Sequence, residues 1–546
     1  MDIVSFARYG YAGALVKVEA DLRRGIPAVN IVGLPDGAVR EARERMRSAI
    51  RNSGFEFPRE RILINLSPAG LKKEGSSFDL AIALSVLSSA AGLTLPGVAG
   101  KVMVLGELEL SGAVRPVVAV LAAVSRGLEE GIRQFIVPTG NRREASILRE
   151  AEIFAVDNLS DAMQTLNALA ALNADSARDS GGIPPAAAKR IPGRGAREGY
   201  TVRWGTADSS GGYEDVRGQE RLVRALQIAA AGAHHLIVYG PPGCGKTLAL
   251  RRFPTLLPEL DEETAIAVTR IHGIAGLPDE AGSEGLRTTP PFREPHQNTS
   301  LEGMIGGGKS CRPGEISLAH GGSLFLDEAA QFRTSVLQSL RAPLETGSVT
   351  VSRADGTETF PARFQLLAAI NPCPCGNFGE ERRVCTCDAQ AIERYWRRLT
   401  APLLDRIDLR VAVSVPDPES LSAGSAGSAG AAGLETSGFS TGELRQGIAR
   451  ARLAQRKRNG GEGWLNAHLG TSDVNRVCAL TPRLASLFAR GMEKARLSGR
   501  GAHGTLKVAR TIADMEGTEE IEEEHLLEAI QFRRWSALVP DFLQDY

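Results

Sequence analysis

Net charge is absent from this sequence: 64 Lys and Arg residues offset 64 Asp and Glu. No global field therefore favours a polyanion or an anionic membrane, and any such site has to be a local patch. Cysteine is scarce, seven in 546 residues with four crowded between Cys373 and Cys387. That excludes a secreted disulfide framework and points to a reducing compartment. The start, MDIVSFARYGYAG, has an acid at position 2 and no basic stretch leading into an apolar one, so a signal peptide is not expected. One uncharged run approaches the length of a membrane span, Leu80 to Gly100, but Ser85, Ser88, Ser89, Gly92, Thr94 and Pro96 interrupt it. It reads as a buried helix ending near Gly92. The expectation is a soluble, cytoplasmic protein with no membrane partner.

The length has room for three or four domains, each with its own core. Two stretches poor in apolar periodicity divide the chain. One, rich in Ala, Gly, Ser, Pro and Arg, runs from about Asn173 to Gly212 and reads as a linker; the other is the Ser, Ala and Gly run from Ser420 to Gly433. The expected organisation is an α+β domain over 1–170 with helices at Asp36–Ser53 and Phe78–Ala91, then a flexible linker over 171–212. An α/β core over 213–416, an insertion over 417–440 and a helical lid over 441–546 complete it, the lid helices capped at Thr481 and starting near Thr518. Within the core, the apolar runs His235–Tyr239, Ser323–Leu326 and Phe364–Ile370 alternate with helical segments. That is the pattern of a doubly wound parallel sheet.

The chemistry lies at the ends of those runs. Gly240, Pro241, Pro242, Gly243, Cys244, Gly245, Lys246 and Thr247 spell the G-x-x-x-x-G-K-[ST] loop between a strand and a helix. Its backbone N–H groups cradle phosphates, Lys246 reaches the β and γ phosphates, and the Thr247 hydroxyl takes Mg²⁺. The next strand ends in Asp327 and Glu328, two carboxylates at the same sheet edge, Asp327 suited to Mg²⁺ and Glu328 to the attacking water. The third ends in Asn371, whose amide suits positioning that water, although Asn before Pro372 is also a turn signal. ATP and Mg²⁺ are the expected cofactors.

These residues sit within a longer series: YEDVRGQE at 213–220, GPPGCGKT, PHQNTSLEGMIGGG at 295–308, PGEISLAHGGSLFLDE at 313–328, FPARFQLLAAINPCPCG at 360–376 and APLLDRIDL at 401–409. The series resembles the ComM (YifB) group of Mg-chelatase-like AAA+ ATPases. The resemblance covers most of the chain outside the two spacers. It implies a homo-hexameric ring with ATP between subunits, Arg406 as the finger reaching a neighbour's phosphate, and Lys507 and Arg510 as rival positions for a further phosphate contact from the lid. It also implies that an insertion near 287–313 and a hairpin over Val349–Phe364, turning at Asp355-Gly356, face a central channel. Lys309, Arg353 and Arg363 would there meet a phosphate backbone. The N-terminal domain resembles the Lon-protease fold. Ser77 falls on the nucleophile position, but Leu121 stands where a lysine base would be needed, so no peptidase activity is expected.

Cys373, Cys375, Cys385 and Cys387 form two C-x-C pairs, which leaves a structural zinc site and free thiols in a tight turn as equal readings. The leading function implied by the resemblance is an ATP-driven motor on DNA, a branch-migration helicase aiding recombination of incoming DNA. A basic stretch, Arg445, Arg450, Arg452, Arg456, Lys457 and Arg458, is its local support, with a solvated helix face as the alternative. The rival functions are a motor subunit for metal insertion into a porphyrin and a scaffold that binds ATP with little turnover.

Overall fold

A computed structural model of the chain describes residues 2–92, 101–176, 202–205, 211–277, 285–353, 356–379, 383–415, 439–459 and 465–535. The two composition-biased spacers fall largely outside these residues, although the helix Leu159–Ser176 runs past the boundary expected at residue 170.

The core is a five-stranded sheet in the order Phe292–Arg293, Ser323–Leu326, Gln365–Ile370, Leu236–Tyr239, Leu409–Ala412, with every pairing parallel. Its three central strands are short and mostly apolar because both faces are covered. Leu236 and Val238 join Leu367, Leu409 and the helix Glu220–Gly232 on one side, while Ile237 and Tyr239 join Leu326, Leu366 and Trp396 on the other. All the carboxyl ends consequently open at one edge. A hairpin, Ser348–Arg353 against Gly356–Pro361, precedes the strand ending at Ile370; its pairing closes at Arg353 and Gly356. Gly356 is therefore a strand residue rather than part of the turn expected at Asp355-Gly356, and Ala354 and Asp355 lie outside the described residues.

The N-terminal residues build a seven-stranded mixed sheet, flanked by the helices Gly37–Asn52, capped by Asp36, and Asp79–Ala90. The latter carries the first half of the uncharged run behind Asp79, and Asp79 through Leu87 are all buried. Helix Glu262–Ala275 of the core joins the two sheets: the Arg270 guanidinium lies 4.4 Å above the Tyr11 ring and donates to Tyr11 O and Ser125 Oγ at 3.2 Å each.

Five C-terminal helices follow, Thr441–Asn459, Thr471–Val477, Pro482–Lys494, Gly499–Glu516 and Glu523–Arg533. Thr481 caps its helix as expected, but the last helix starts at Glu522 rather than Thr518, where the Glu522 and His525 side chains exchange capping bonds. The basic stretch lies on Thr441–Asn459 and turns largely inward. Arg452 donates to Ala230 O and Arg450 to Met515 O, carbonyls at the ends of two helices that have no intrahelical partner. Arg445 donates to Thr255 O and Arg458 pairs with Asp514, so at least these four arginines are not an open nucleic-acid face. Where this helix begins, Tyr213 N–H donates to Thr441 Oγ1 at 2.8 Å and Thr441 N–H to the Glu214 carboxylate at 2.9 Å. Among the described residues no helix is long and apolar enough to cross a membrane.

Candidate functional site

Strand Leu236–Tyr239 delivers the chain to the glycine-rich loop. Gly240 is required there by close approach, since a Cβ would stand 2.1 Å from Val413 O on the neighbouring strand. Gln219, from the YEDVRGQE segment, straps the loop down by donating to Cys244 O at 3.2 Å and Ser414 O at 3.0 Å. A cleft of about 400 Å³ opens above it, lined by Pro242 to Leu248, Asp327, Glu328 and Ala369 to Asn371. Three strand ends thus bring Lys246, Thr247, Asp327, Glu328 and Asn371 around one space.

Lys246 is buried, and its Nζ reaches Gly240 O at 2.6 Å, Pro241 O at 2.8 Å and Asn371 Oδ1 at 3.2 Å. These acceptors are all neutral. Desolvation therefore lowers its pKa from the ordinary lysine value, with Cys244 first and then Asp327 and Glu328 only partly opposing it. A buried ammonium short of an anion is what a polyphosphate satisfies. Thr247 Oγ1 lies 3.1 Å from Asp327 Oδ2, a hydroxyl and a carboxylate oxygen paired as Mg²⁺ ligands would be. The residues fit a magnesium nucleotide.

Glu328 has left-handed backbone angles, φ 51° and ψ 47°, a conformation that costs a side-chain-bearing residue about 1–2 kcal/mol and that concentrates at functional sites. Its Oε2 accepts from Gln331 Nε2 at 2.6 Å and from Gln297 Nε2 at 3.3 Å. The sequence reading missed both glutamines, although Gln297 stands inside the quoted PHQNTS segment; glutamine carries no signature of its own, and only the left-handed turn after Asp327 brings them to the carboxylate. Trp396 Nε1 donates to Pro372 O at 2.9 Å, just past Asn371. Asn371 is therefore held from behind.

The other expected site residues lie elsewhere. Arg406 pairs with Glu345 at 2.7 Å and lines a second cavity of about 720 Å³ together with Arg500, His503 and Lys507. Lys507 donates to Ala467 O at 2.9 Å. Arg510, expected as its rival, is 3% exposed and committed to Asp514 at 3.0 Å and to Thr518 O and Glu519 O at 2.7 Å. Neither residue is brought to the loop cleft of its own chain. Beneath Arg406, burial alone would raise the Asp408 carboxyl, but His234 at 2.9 Å and Arg533 outweigh it and hold the group below its ordinary range.

Lys309 is exposed at the tip of a small hairpin, Gly306–Gly307 with Arg312–Pro313, whose Ser310 donates to Glu74 of the N-terminal sheet at 2.9 Å. Arg363 is exposed, and the Arg353 side chain lies outside what is described. Leu121 is wholly buried, its N–H donating to the Glu144 carboxylate at 2.8 Å. The four cysteines converge on one point beside Asn371. The Asn377 N–H pulls the Cys375 thiol below its ordinary range, and burial pushes Cys373 up.

Comparison with known proteins finds similarity over nearly the whole chain. Family descriptions match at residues 212–421 ("Magnesium chelatase, subunit ChlI"), 18–141 ("Subunit ChlI of Mg-chelatase") and 438–533 ("Magnesium chelatase, subunit ChlI C-terminal"). Competence protein ComM of Haemophilus influenzae is 37% identical over 532 residues, 97% of both chains. The YifB protein of Escherichia coli is 36% identical over 527 residues, 96% of both, and protein Rv2897c of Mycobacterium tuberculosis is 38% identical over 535 residues, 98% of both.

Proposed function

The chain belongs to the ComM/YifB family of magnesium-chelatase-like AAA+ ATPases, and on that premise we propose that it is an ATP-hydrolysing motor acting on DNA, of the branch-migration kind that serves recombination of incoming DNA. The observation that carries the reading is the convergence of Lys246, Thr247, Asp327, Glu328 and Asn371 on one cleft. When bound, magnesium ATP supplies the phosphoanhydride bond whose cleavage does the work. Lys246 and the loop N–H groups hold the phosphate oxygens, while Thr247 and Asp327 hold the metal. The Glu328 carboxylate polarises the attacking water and accepts its proton, and the Asn371 amide orients that water.

A homo-hexameric ring in the cytoplasm belongs to the same reading. It is supported by Arg406, which lies away from its own chain's cleft beside Lys507, as residues serving a neighbour's nucleotide would. Arg510 is then a brace of the lid. The division into a Lon-like N-terminal domain, an ATPase core and a helical lid, and the exposure of Lys309 and Arg363 toward DNA, complete it.

Steady-state ATP hydrolysis of the purified protein, alone and with single-stranded, double-stranded and branched DNA, tests the reading, with Glu328→Gln as the inactive control. Stimulation by DNA that disappears in the control supports it. Hydrolysis indifferent to every DNA favours a chelatase-like remodelling motor, and nucleotide binding without turnover favours a scaffold.

A further inference from the structure

Cys373, Cys375, Cys385 and Cys387 stand beside the nucleotide cleft and take no part in the hydrolytic chemistry. Cys373 Sγ lies 3.3 Å from Cys375 Sγ and 3.7 Å from Cys385 Sγ, Cys375 Sγ lies 3.6 Å from Cys385 Sγ, and all four sulfurs are within 4.8 Å of one another. A tetrahedral zinc ion with Zn–S bonds of about 2.3 Å separates its sulfurs by roughly 3.8 Å, whereas a disulfide brings two sulfurs to about 2.05 Å. The observed spacings match the first arrangement, and all four cysteines are free of disulfides.

Cys373 is buried in the core, and Cys375, Phe378, Cys385 and Cys387 pack against it, while Val384 is 84% exposed. Backbone N–H groups also turn toward the sulfurs, those of Asn377 and Thr386 toward Cys375, that of Phe378 toward Cys373 and that of Cys375 toward Cys387. This is the outer layer of donors that orients charged sulfur ligands. The loop also abuts the reaction machinery on two sides. Asn371 and Pro372 lead directly into Cys373, and Gly376, at φ +81°, sits so near the glycine-rich loop that a Cβ would stand 2.7 Å from Pro242 Cδ.

We propose that one zinc ion closes this cage of four thiolates and that the metal, through the turn from Cys373 to Gly376, fixes Asn371 and Pro242 relative to each other. With all four positions taken by protein sulfur, no site is left open for water, so the metal acts by positioning. The second part rests on the reading of Asn371 as the residue that orients water; the first does not.

The test is metal analysis of full-length protein purified in reducing buffer without added metal or chelator, by inductively coupled plasma mass spectrometry, with ATP hydrolysis measured in parallel. Expected are one zinc ion per chain, its release when a mercurial blocks the thiols, and the absorption bands of tetrahedral thiolate coordination after cobalt replacement. Cys375→Ser combined with Cys387→Ser should lose the zinc and lower kcat on the order of 10-fold, with KM for ATP little changed. Should that variant fail to fold, the wild-type metal content decides alone. Wild-type protein without stoichiometric zinc, an iron–sulfur chromophore, a disulfide within the cluster, or zinc retained by the double variant would each overturn the proposal. Zinc in a protein that does not hydrolyse ATP supports the cage and sinks the motor reading; hydrolysis without zinc does the reverse.

Discussion

Replacing Arg510 by Met separates a lid brace from a nucleotide ligand. Methionine keeps most of the buried stem and removes only the guanidinium, which donates to Asp514 Oδ1, Thr518 O and Glu519 O. Asp514 is not left alone, because Arg458 donates to it at 2.6 and 2.8 Å and Asn466 at 2.9 Å. The penalty of about 3–5 kcal/mol for a buried charge stripped of its partner is therefore not reached. Two carbonyls just beyond the helix Gly499–Glu516 do lose their donors, at about 1–3 kcal/mol each. The expected loss is about 3 kcal/mol, which corresponds to roughly 100-fold faster amide exchange in that helix. Hydrogen–deuterium exchange on peptides spanning Gly499–Glu516, with ATP affinity measured beside it, reads both quantities. Exchange at the wild-type rate together with a tenfold weaker affinity for ATP would refute the brace and make Arg510 a phosphate contact.

Gly240→Ala drives a Cβ against Val413 O and should lower stability by about 1–3 kcal/mol through the spacing of the two strands; thermal melts with and without ATP check this, and an unchanged melt argues against it. Gln331→Leu removes the shorter of the two bonds to Glu328 and should reduce kcat about tenfold with ATP affinity preserved, so a fall in affinity instead would assign Gln331 to binding. Burial holds His235 and His320 neutral, each pushed down to about 4. Unfolded histidine takes up its proton below about 6.5. Stability should thus be unaffected by these groups above that value and fall between about pH 6.5 and about 4, by up to about 3 kcal/mol per histidine. Denaturation midpoints across that range test the sign, and a flatter profile is expected of His320→Gln.

The nucleotide cleft was legible because its residues carry patterns that survive without three dimensions: a glycine loop with Lys246 and Thr247, and polar residues ending continuously apolar strands. The strand Leu409–Ala412 was hidden because it begins on the last residue of APLLDRIDL and carries Arg410, a charge that interrupts the apolar run, although Arg410 is 2% exposed. Composition misleads most at the helix Thr441–Asn459. Its arginines look like a basic face in one dimension, whereas Arg450 and Arg452 serve carbonyls at the ends of other helices. The choice between Lys507 and Arg510 was unreadable for a similar reason: they share one helix, and only its packing decides which of them is enclosed by Asp514 and the turn at Thr518.

The bonds between Tyr213, Glu214 and Thr441 join positions far apart in sequence. Tyr213 and Glu214 come directly after the first spacer and Thr441 directly after the second, so the first residues beyond both are fastened to each other. Losing the Thr441 hydroxyl would take away the acceptor of the buried Tyr213 N–H and loosen the α/β core and the first C-terminal helix together.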